Sequence, residues 1–364
     1  MHPDLIDQFP TLKKLNYLGS CSQGLLPKQT SNALDRYHEE LLTYGSNWEL
    51  ATQKVEEARN TFAKLINAEP DEIAIVSSVS HAISAIATSL PVSPTKDEII
   101  FTDFDFPTVE DVWTSQARFK HKIHKITSEK NHIALEKFEK EISEKTLLTS
   151  IPHVHYKSGF KFDIDKISKI AHKKGSLIFV DAYQSAGHCP IDVKEMNIDF
   201  LATGTRKYLL GIPGISFLYI KKEIADRLNP YITGWLGQGK KGARKFDTGT
   251  PSFISAYAAV ASIQLIQSIG VDTISTYLDS LGKFALEYGT EKGLTVYGSK
   301  QLLDRTSLIA FFHSEAKQVV HKLKKNGIVL TSKENIIRIS PHFYNSNEDI
   351  KKAIDGIINY SSKK

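Results

Sequence analysis

Lys207 lies in "ATGTRKYLLGIPGISFLYI", which begins at Ala202, between a short polar turn and a glycine-punctuated apolar run. A lysine amine held out of water beside a second cation, as Arg206 would be, gives up its proton readily and becomes a nucleophile able to form a Schiff base. Asp181 closes the apolar run "SLIFV", and Gln184 follows three residues later. A carboxylate at the mouth of a buried strand is costly unless it is compensated, and a cationic ring nitrogen is one group that would do so. The turn over Ser78, Val79 and Ser80 in "VSSVSHAIS" offers free backbone N–H groups at a helix start, where an anion such as phosphate fits. Each position alone has a plainer reading: Lys207 as a surface charge, Asp181 as a cap on nearby backbone, Ser80 as a helix N-cap. Taken together at successive strand ends, they point to chemistry.

Such residues need a scaffold. Residues 52–67, "TQKVEEARNTFAKLIN", set Val55, Ala58, Phe62, Leu65 and Ile66 on one face at helical spacing. "EIAIVSSVSHAISAIATSL" reads as a short β-prone run, a small polar turn and a helix. "DEIIFTD" and "LLTSIPHVHY" are strand-like, "DIDKISKIAHKKG" is a helix ending at Gly175, and "SLIFVD" is a buried strand. This alternation predicts an α/β fold with a mostly parallel sheet covered on both faces and ligands beyond the carboxyl ends of its strands. The residues to inspect there are Ser78, Ser80, Asp103 to Phe106, His153, Asp181, Gln184 and the turn before Lys207. Near residue 250 the pattern changes to a long helical stretch, "SAYAAVASIQLIQSIG", and mixed elements. A large domain over 15–250 and a smaller one over 251–364, with residues 1–14, are expected.

The 364 residues are 41% hydrophobic and 24% charged, as in ordinary soluble proteins. The net charge of +5 is modest, and bases alternate with acids, as in "ALEKFEKEISEK". Two denser basic patches, "FKHKIHKITSEK" and "GQGKKGARK", would have to share a surface with stacking aromatics to hold nucleic acid, and no such partner is expected. The start, "MHPDLIDQFPTLKK", lacks a signal-peptide pattern, and no apolar run reaches the roughly 18 residues of a membrane helix, so a cytoplasmic location without membrane contact is expected. Cys21 and Cys189 form no CxxC, and "HVH" at His153 and "HKIH" at His121 lack a third ligand, so neither disulfides nor metal are expected. His153 is expected to pack on the side of the ligand.

An anion cradle, an aspartate and a lysine at strand ends are the parts that pyridoxal 5'-phosphate requires. On these residues the sequence resembles the class V aminotransferases of the fold type I pyridoxal-phosphate superfamily, which include cysteine desulfurases, kynureninases and isopenicillin-epimerase-like proteins. The resemblance runs from "NYLGSCSQGLLP" to "IIRISPHFYNSNEDI" and is most specific in "VDAYQSAGHCPIDVKEMNIDFLATGTRKYLLGIPGISFLY". It implies a seven-stranded-type, mostly parallel sheet between helices, plus a small C-terminal α+β domain. It implies Lys207 as the Schiff-base lysine and later acid/base, Asp181 as partner of the pyridine nitrogen, and Gln184 opposite the phenolic oxygen. Ser78, Val79 and Ser80 match the phosphate turn, although "SSVSHA" stands where a Gly-Ala-Thr-Glu-Ala-like motif is frequent. Phe106 in "DFDFPTVEDVW" falls where desulfurases usually carry histidine; it can cover the ring but moves no proton. Gly204, Thr205, Arg206 and Lys207 stand where desulfurases usually have Ser-Gly-His-Lys, so Arg206 replaces a phosphate-facing histidine, Thr205 joins the contact and a serine is lost. Thr250 in "FDTGTPSF" resembles the Gly-Thr-Pro loop that reaches the neighbouring subunit's phosphate, which implies a homodimer with shared active sites. Arg338 in "NIIRISPHFYN" resembles the arginine that holds a substrate α-carboxylate, with a strand-edge ion pair as the structural alternative.

The expected function is therefore that of a pyridoxal-phosphate enzyme on an amino acid, an aminotransferase or a carbon–sulfur lyase/epimerase relative. A persulfide-forming desulfurase needs a nucleophilic cysteine on a C-terminal loop, and no cysteine follows Cys189. Cys21 is read as a small packing residue, with substrate contact as the alternative. Two other classes fit part of the pattern. A nicotinamide-dependent oxidoreductase is suggested by the α/β pattern and by "GQGKKG", formally GxGxxG, although it follows "YITGWL" and not a clear strand. A non-catalytic binding protein on the same fold is the other, and Lys207, Asp181 and Arg338 together count against it.

Overall fold

The computed structural model describes residues 3–91 and 93–361. Seven strands form the central sheet: β1 (Ile73–Val76), β2 (Glu98–Thr102), β3 (Lys122–Ile126), β4 (Thr146–Pro152), β5 (Leu177–Asp181), β6 (Phe200–Gly204) and β7 (Ser216–Ile220). Their order is β1-β7-β6-β5-β4-β2-β3. All neighbours run parallel except β7, which is antiparallel to β1 and β6. The exception has a local cause: residues 205–215 return the chain directly from β6 to β7 with no crossover helix, and Lys207 sits in that return.

Alternation along the strands divides the core. In β5, Ile178 and Val180 face a cluster with Phe62 of α2 (Trp48–Leu65), the helix that follows α1 (Lys28–Tyr44), while Phe179 faces Ile83 and Trp113 on the opposite side. Helix α2 begins earlier than the periodicity of residues 52–67 suggests, because the Asn47 side chain accepts from the Leu50 N–H and caps it. The opposite layer holds α3 (Val79–Ser89) and α4 (Pro107–Ser115), each starting directly beyond the carboxyl end of a strand.

Beyond the sheet, α5 (Phe253–Ile269) contributes Ala256, Ala259 and Ile263 to the first cluster and Leu265 and Ile266 to a separate one. That second core gathers Leu281, Ile309, Ile337 and Ile354 with Phe9, Leu18 and Leu25 from the N-terminal segment. It lies under a four-stranded antiparallel sheet that includes Ile309–Phe312 and Ile336–Ile339. Residues 1–2 and 362–364 of the expected small domain lie outside the described residues.

The N-terminal segment then crosses to the large sheet. Gly24 donates its N–H to the Arg206 carbonyl at 2.8 Å, and a Cβ on Gly24 would come within 2.1 Å of the Lys207 carbonyl oxygen. Glycine is the residue that permits this approach, which fixes the backbone of the Lys207 turn from outside. Among the described residues no single helix is long and apolar enough to cross a membrane.

Candidate active site

A cleft with an atom-free volume of about 880 Å³ opens beyond the carboxyl ends of the parallel strands, lined by residues of every segment singled out there: Ser78, Val79, Ser80, Phe106, Asp181, Gln184, Arg206 and Lys207. Strand register explains the gathering. Asp181 pairs with Pro152 on one side and Ala202 on the other, so β4 and β5 end at one level while β6 runs on to Gly204, just before the Lys207 turn.

Lys207 is 7% exposed. Burial pushes its amine down to about 8, although Asp181 pulls the other way; Arg206 and Arg338 add to the lowering. Its Nζ lies 4.1 Å from the Tyr183 ring centroid and 5.8 Å from that of Phe106. Phe106, 45% exposed, forms the outer wall edge-to-face with Tyr156 at 5.1 Å. Asp181 accepts one bond, from the Tyr183 N–H at 2.8 Å, and burial raises its carboxyl above the usual range. Gln184 donates Nε2 to the Cys21 carbonyl at 3.0 Å, while its Oε1 is buried without a partner.

At the start of α3, Ser78 and not Ser80 is the cap: its hydroxyl accepts from the His81 N–H at 3.1 Å. The Val79 and Ser80 amides precede any intrahelical acceptor, and the Ser80 hydroxyl lies 3.3 Å from that of Thr108. The Arg206 Nε is also buried without a partner. Free amides and an unpaired guanidinium nitrogen as donors, with an orphaned amide oxygen and an under-compensated carboxylate as acceptors, fit pyridoxal phosphate: a phosphate for the donors, a ring hydroxyl and a protonated ring nitrogen for the acceptors.

Other expected residues sit elsewhere. Thr205 is buried and donates its hydroxyl to the Ile212 carbonyl at 2.6 Å, holding the return to β7; it does not line the cleft. Thr250 is exposed, three residues past Asp247, which Arg59 anchors at 2.7 Å. Arg338 is buried and donates to Thr331 Oγ1 at 3.1 Å and to the Tyr156 carbonyl at 2.7 Å. Among the described residues no carboxylate pairs with it, which removes the ion-pair alternative. Cys21 packs against Tyr208 and Leu308, with Sγ 3.4 Å from Thr331 Oγ1.

A second expectation, after that for Thr205, fails. His153 does not pack on the ligand side: Pro152 and Val154 line the cleft, and alternation turns His153 to the other side. There it joins His188, Cys189, Lys161 and Asp279 around a second cleft, of about 1620 Å³. His155 instead stacks on Phe104 at 4.0 Å. Sequence reasoning also missed Tyr183 and Tyr156, both of which line the first cleft. The aromatic within "DAYQ" was visible, but nothing in the spacing marked which way its ring would turn. The segment "GQGKKG" lies in a turn leading to the 3-10 helix Gly242–Phe246, without the strand-to-helix setting of a dinucleotide site.

Comparison with known proteins agrees with this geometry. A family model described as Aminotransferase class-V matches residues 17–353. The "Uncharacterized aminotransferase YcbU" of Bacillus subtilis (strain 168) is 46% identical over 96% of this chain and 95% of its own length. A "Probable cysteine desulfurase" of Pyrococcus abyssi is 28% identical over 96% of this chain and 94% of its own. Among solved structures, the apo cysteine desulfurase of Thermococcus onnurineus NA1 superposes with a TM-score of 0.92 at 25% identity, covering 100% of this chain and 99% of that one. The cystine C-S lyase C-DES, in complex with its product cysteine persulfide, shares the fold at a TM-score of 0.88 and 21% identity, covering 96% and 99%. The seven-stranded sheet is thus that of the fold type I pyridoxal-phosphate enzymes, and the chain belongs to the class-V aminotransferase family.

Proposed function

We propose that this protein binds pyridoxal 5'-phosphate in the first cleft and acts at the Cα of an amino acid, as an aminotransferase or a carbon–sulfur lyase/epimerase relative. When bound, the cofactor supplies an electron sink for negative charge at that carbon. The chain's own residues do the rest. Lys207 offers a buried amine that is nucleophilic near neutral pH and, once free, moves a proton to or from Cα. Asp181 holds a cationic nitrogen, Gln184 meets the ring hydroxyl, and Ser78 to Ser80 with Arg206 hold the phosphate. Phe106 covers the site without titrating. Arg338, tied to the Tyr156 backbone of the cleft wall, suits a planar substrate carboxylate.

The observation that carries the reading is the Lys207 amine, 7% exposed, pushed down to about 8 and facing the buried Asp181. Persulfide formation is not part of the proposal, because Cys189 belongs to the other cleft, with burial pushing its thiol up to about 12, and Cys21 is 2% exposed. Thr250 is exposed on a loop whose Thr248 carbonyl accepts from the Leu236 N–H at 3.2 Å, beside the exposed Trp235, and this supports a homodimer in which that loop reaches a second copy's cleft. The two buried free thiols suit the cytoplasm.

Purified protein mixed with pyridoxal phosphate should develop a visible band that borohydride fixes on Lys207, and Lys207→Ala should lose both the fixation and at least about 10³-fold of activity. Scoring keto acid, sulfide and Cα deuterium exchange across an amino-acid panel then separates transamination, elimination and epimerisation. A colourless protein indifferent to the cofactor would sink the proposal.

A further inference from the structure

Tyr183 lines the first cleft, and the functional reading leaves it without a task. Its placement is tightly constrained. The Tyr183 N–H closes a turn onto Asp181 Oδ1 at 2.8 Å, which swings the ring across the end of β6. There the phenol covers Gly204: a Cβ on that glycine would lie 2.6 Å from Tyr183 Cζ and 2.7 Å from its hydroxyl oxygen. Residue 204 therefore has no side chain of its own to offer the cleft, and the phenol occupies that space.

The hydrogen-bond inventory around the phenol is one-sided. The Arg206 guanidinium beside it has only N–H donors, so the phenol oxygen can serve it only as an acceptor. Among the described residues nothing accepts the phenol's own proton. Lys207 Nζ lies over the ring at 4.1 Å, and the Val79 and Ser80 amides of the α3 start line the same cleft. Burial keeps the phenol protonated, with Arg206 opposing this only in part. Several donors thus converge where Asp181, the one carboxylate among the described residues lining the cleft, already takes a bond from Tyr183 N–H. An anion with several oxygens is what such a surplus accommodates.

We infer that the Tyr183 hydroxyl donates a hydrogen bond to the phosphate of the cofactor, working with Arg206 and the α3 amides from the position that a side chain at Gly204 would otherwise fill. The inference rests on the cofactor reading above, and its test is built to fail separately. Tyr183→Phe keeps the ring and its contact with Lys207 and removes only the donor. Equilibrium binding is measured by absorbance for wild type and variant with pyridoxal phosphate, and with pyridoxal, which lacks the phosphate. The variant should bind pyridoxal phosphate about tenfold more weakly, the loss expected for one hydrogen bond to a charged group, and pyridoxal within about twofold of wild type. Inorganic phosphate should compete against the cofactor correspondingly less well in the variant. Equal affinity of the two proteins for pyridoxal phosphate, or an equal loss for both ligands, overturns the inference while the cofactor reading stands. A wild-type protein that takes up neither ligand removes both.

Discussion

Two nucleophiles, on either side of β6 in the sequence, are buried and face different clefts: Lys207, 7% exposed, and Cys189, 6% exposed. Desolvation is the largest influence on each, and it disfavours the charged form of each. The consequences are opposite. For lysine the neutral form is the nucleophile, so a shift down to about 8 arms it; for cysteine the neutral form is inert, so a shift up to about 12 disarms it. The clefts differ in a second way. Around Lys207, Gln184 Oε1 and Arg206 Nε are buried without partners, whereas in the second cleft His188 Nε2 bonds the Gln184 carbonyl at 2.6 Å and Cys189 Sγ lies 3.7 Å from His188 Nδ1. No side-chain atom among the described residues of that second lining is buried and unsatisfied. A strongly shifted pKa therefore does not by itself mark a site. Its direction relative to the reactive form, together with open hydrogen-bonding capacity, does.

The largest test of this contrast is Asp181→Ala. Removing the only carboxylate among the described residues that faces Lys207 deletes the group proposed to hold a cationic ring nitrogen, and kcat should fall about 10³-fold, the scale of losing a preorganised electrostatic partner. Because Asp181 raises the Lys207 pKa, the variant's amine should also titrate at lower pH than in the wild type. Steady-state rates with the best amino acid of the panel, and the pH dependence of cofactor capture, check the two parts. Activity within tenfold of wild type would mean that the two residues do not form a unit.

Much of this arrangement was legible beforehand because it follows from periodicity. The apolar runs ending at Asp181 and Gly204 state which residues lie at strand ends, and a parallel sheet brings strand ends together. That reasoning reached Lys207, Asp181, Gln184 and the α3 turn. It failed for His153 because a strand end has two sides, and the phase of β4 places Pro152 and Val154, not His153, against the cleft. It failed for Thr205 because the tight return to β7 needs that hydroxyl for the Ile212 carbonyl, a demand set by backbone geometry. Tyr183 was missed because its orientation depends on a glycine in another strand, and that pairing exists only after folding. The Arg59–Asp247 pair, which anchors the segment leading to Thr250, joins residues 188 apart and left no local signal.

A second test asks whether burial has armed Lys207 to the stated degree. With a pKa of about 8, about one-tenth of the amine is neutral at pH 7 and about nine-tenths at pH 9. Since the neutral amine is the attacking form, the initial rate at which apoprotein captures pyridoxal phosphate should rise about tenfold over that interval and then level off. Stopped-flow absorbance gives the profile. A rate that keeps climbing beyond pH 10 would place the amine in water-like surroundings and erase the distinction between the two clefts.

The smallest expected effect belongs to Cys189→Ala. The thiol packs in a lining with no buried, unsatisfied side-chain nitrogen or oxygen among the described residues, so its loss should cost about 1 kcal/mol of stability through the small void left behind and leave kcat and cofactor affinity within about twofold. Native protein at pH 8 should resist iodoacetamide at Cys189 and become labelled there in urea, because a thiol pushed up to about 12 and 6% exposed has little thiolate to offer. Rapid labelling of the folded protein, or a tenfold loss of activity in the variant, would reverse the assignment. It would show that the second cleft works as a reactive site, and that desolvation there is offset by a cation the geometry already supplies nearby, Lys161.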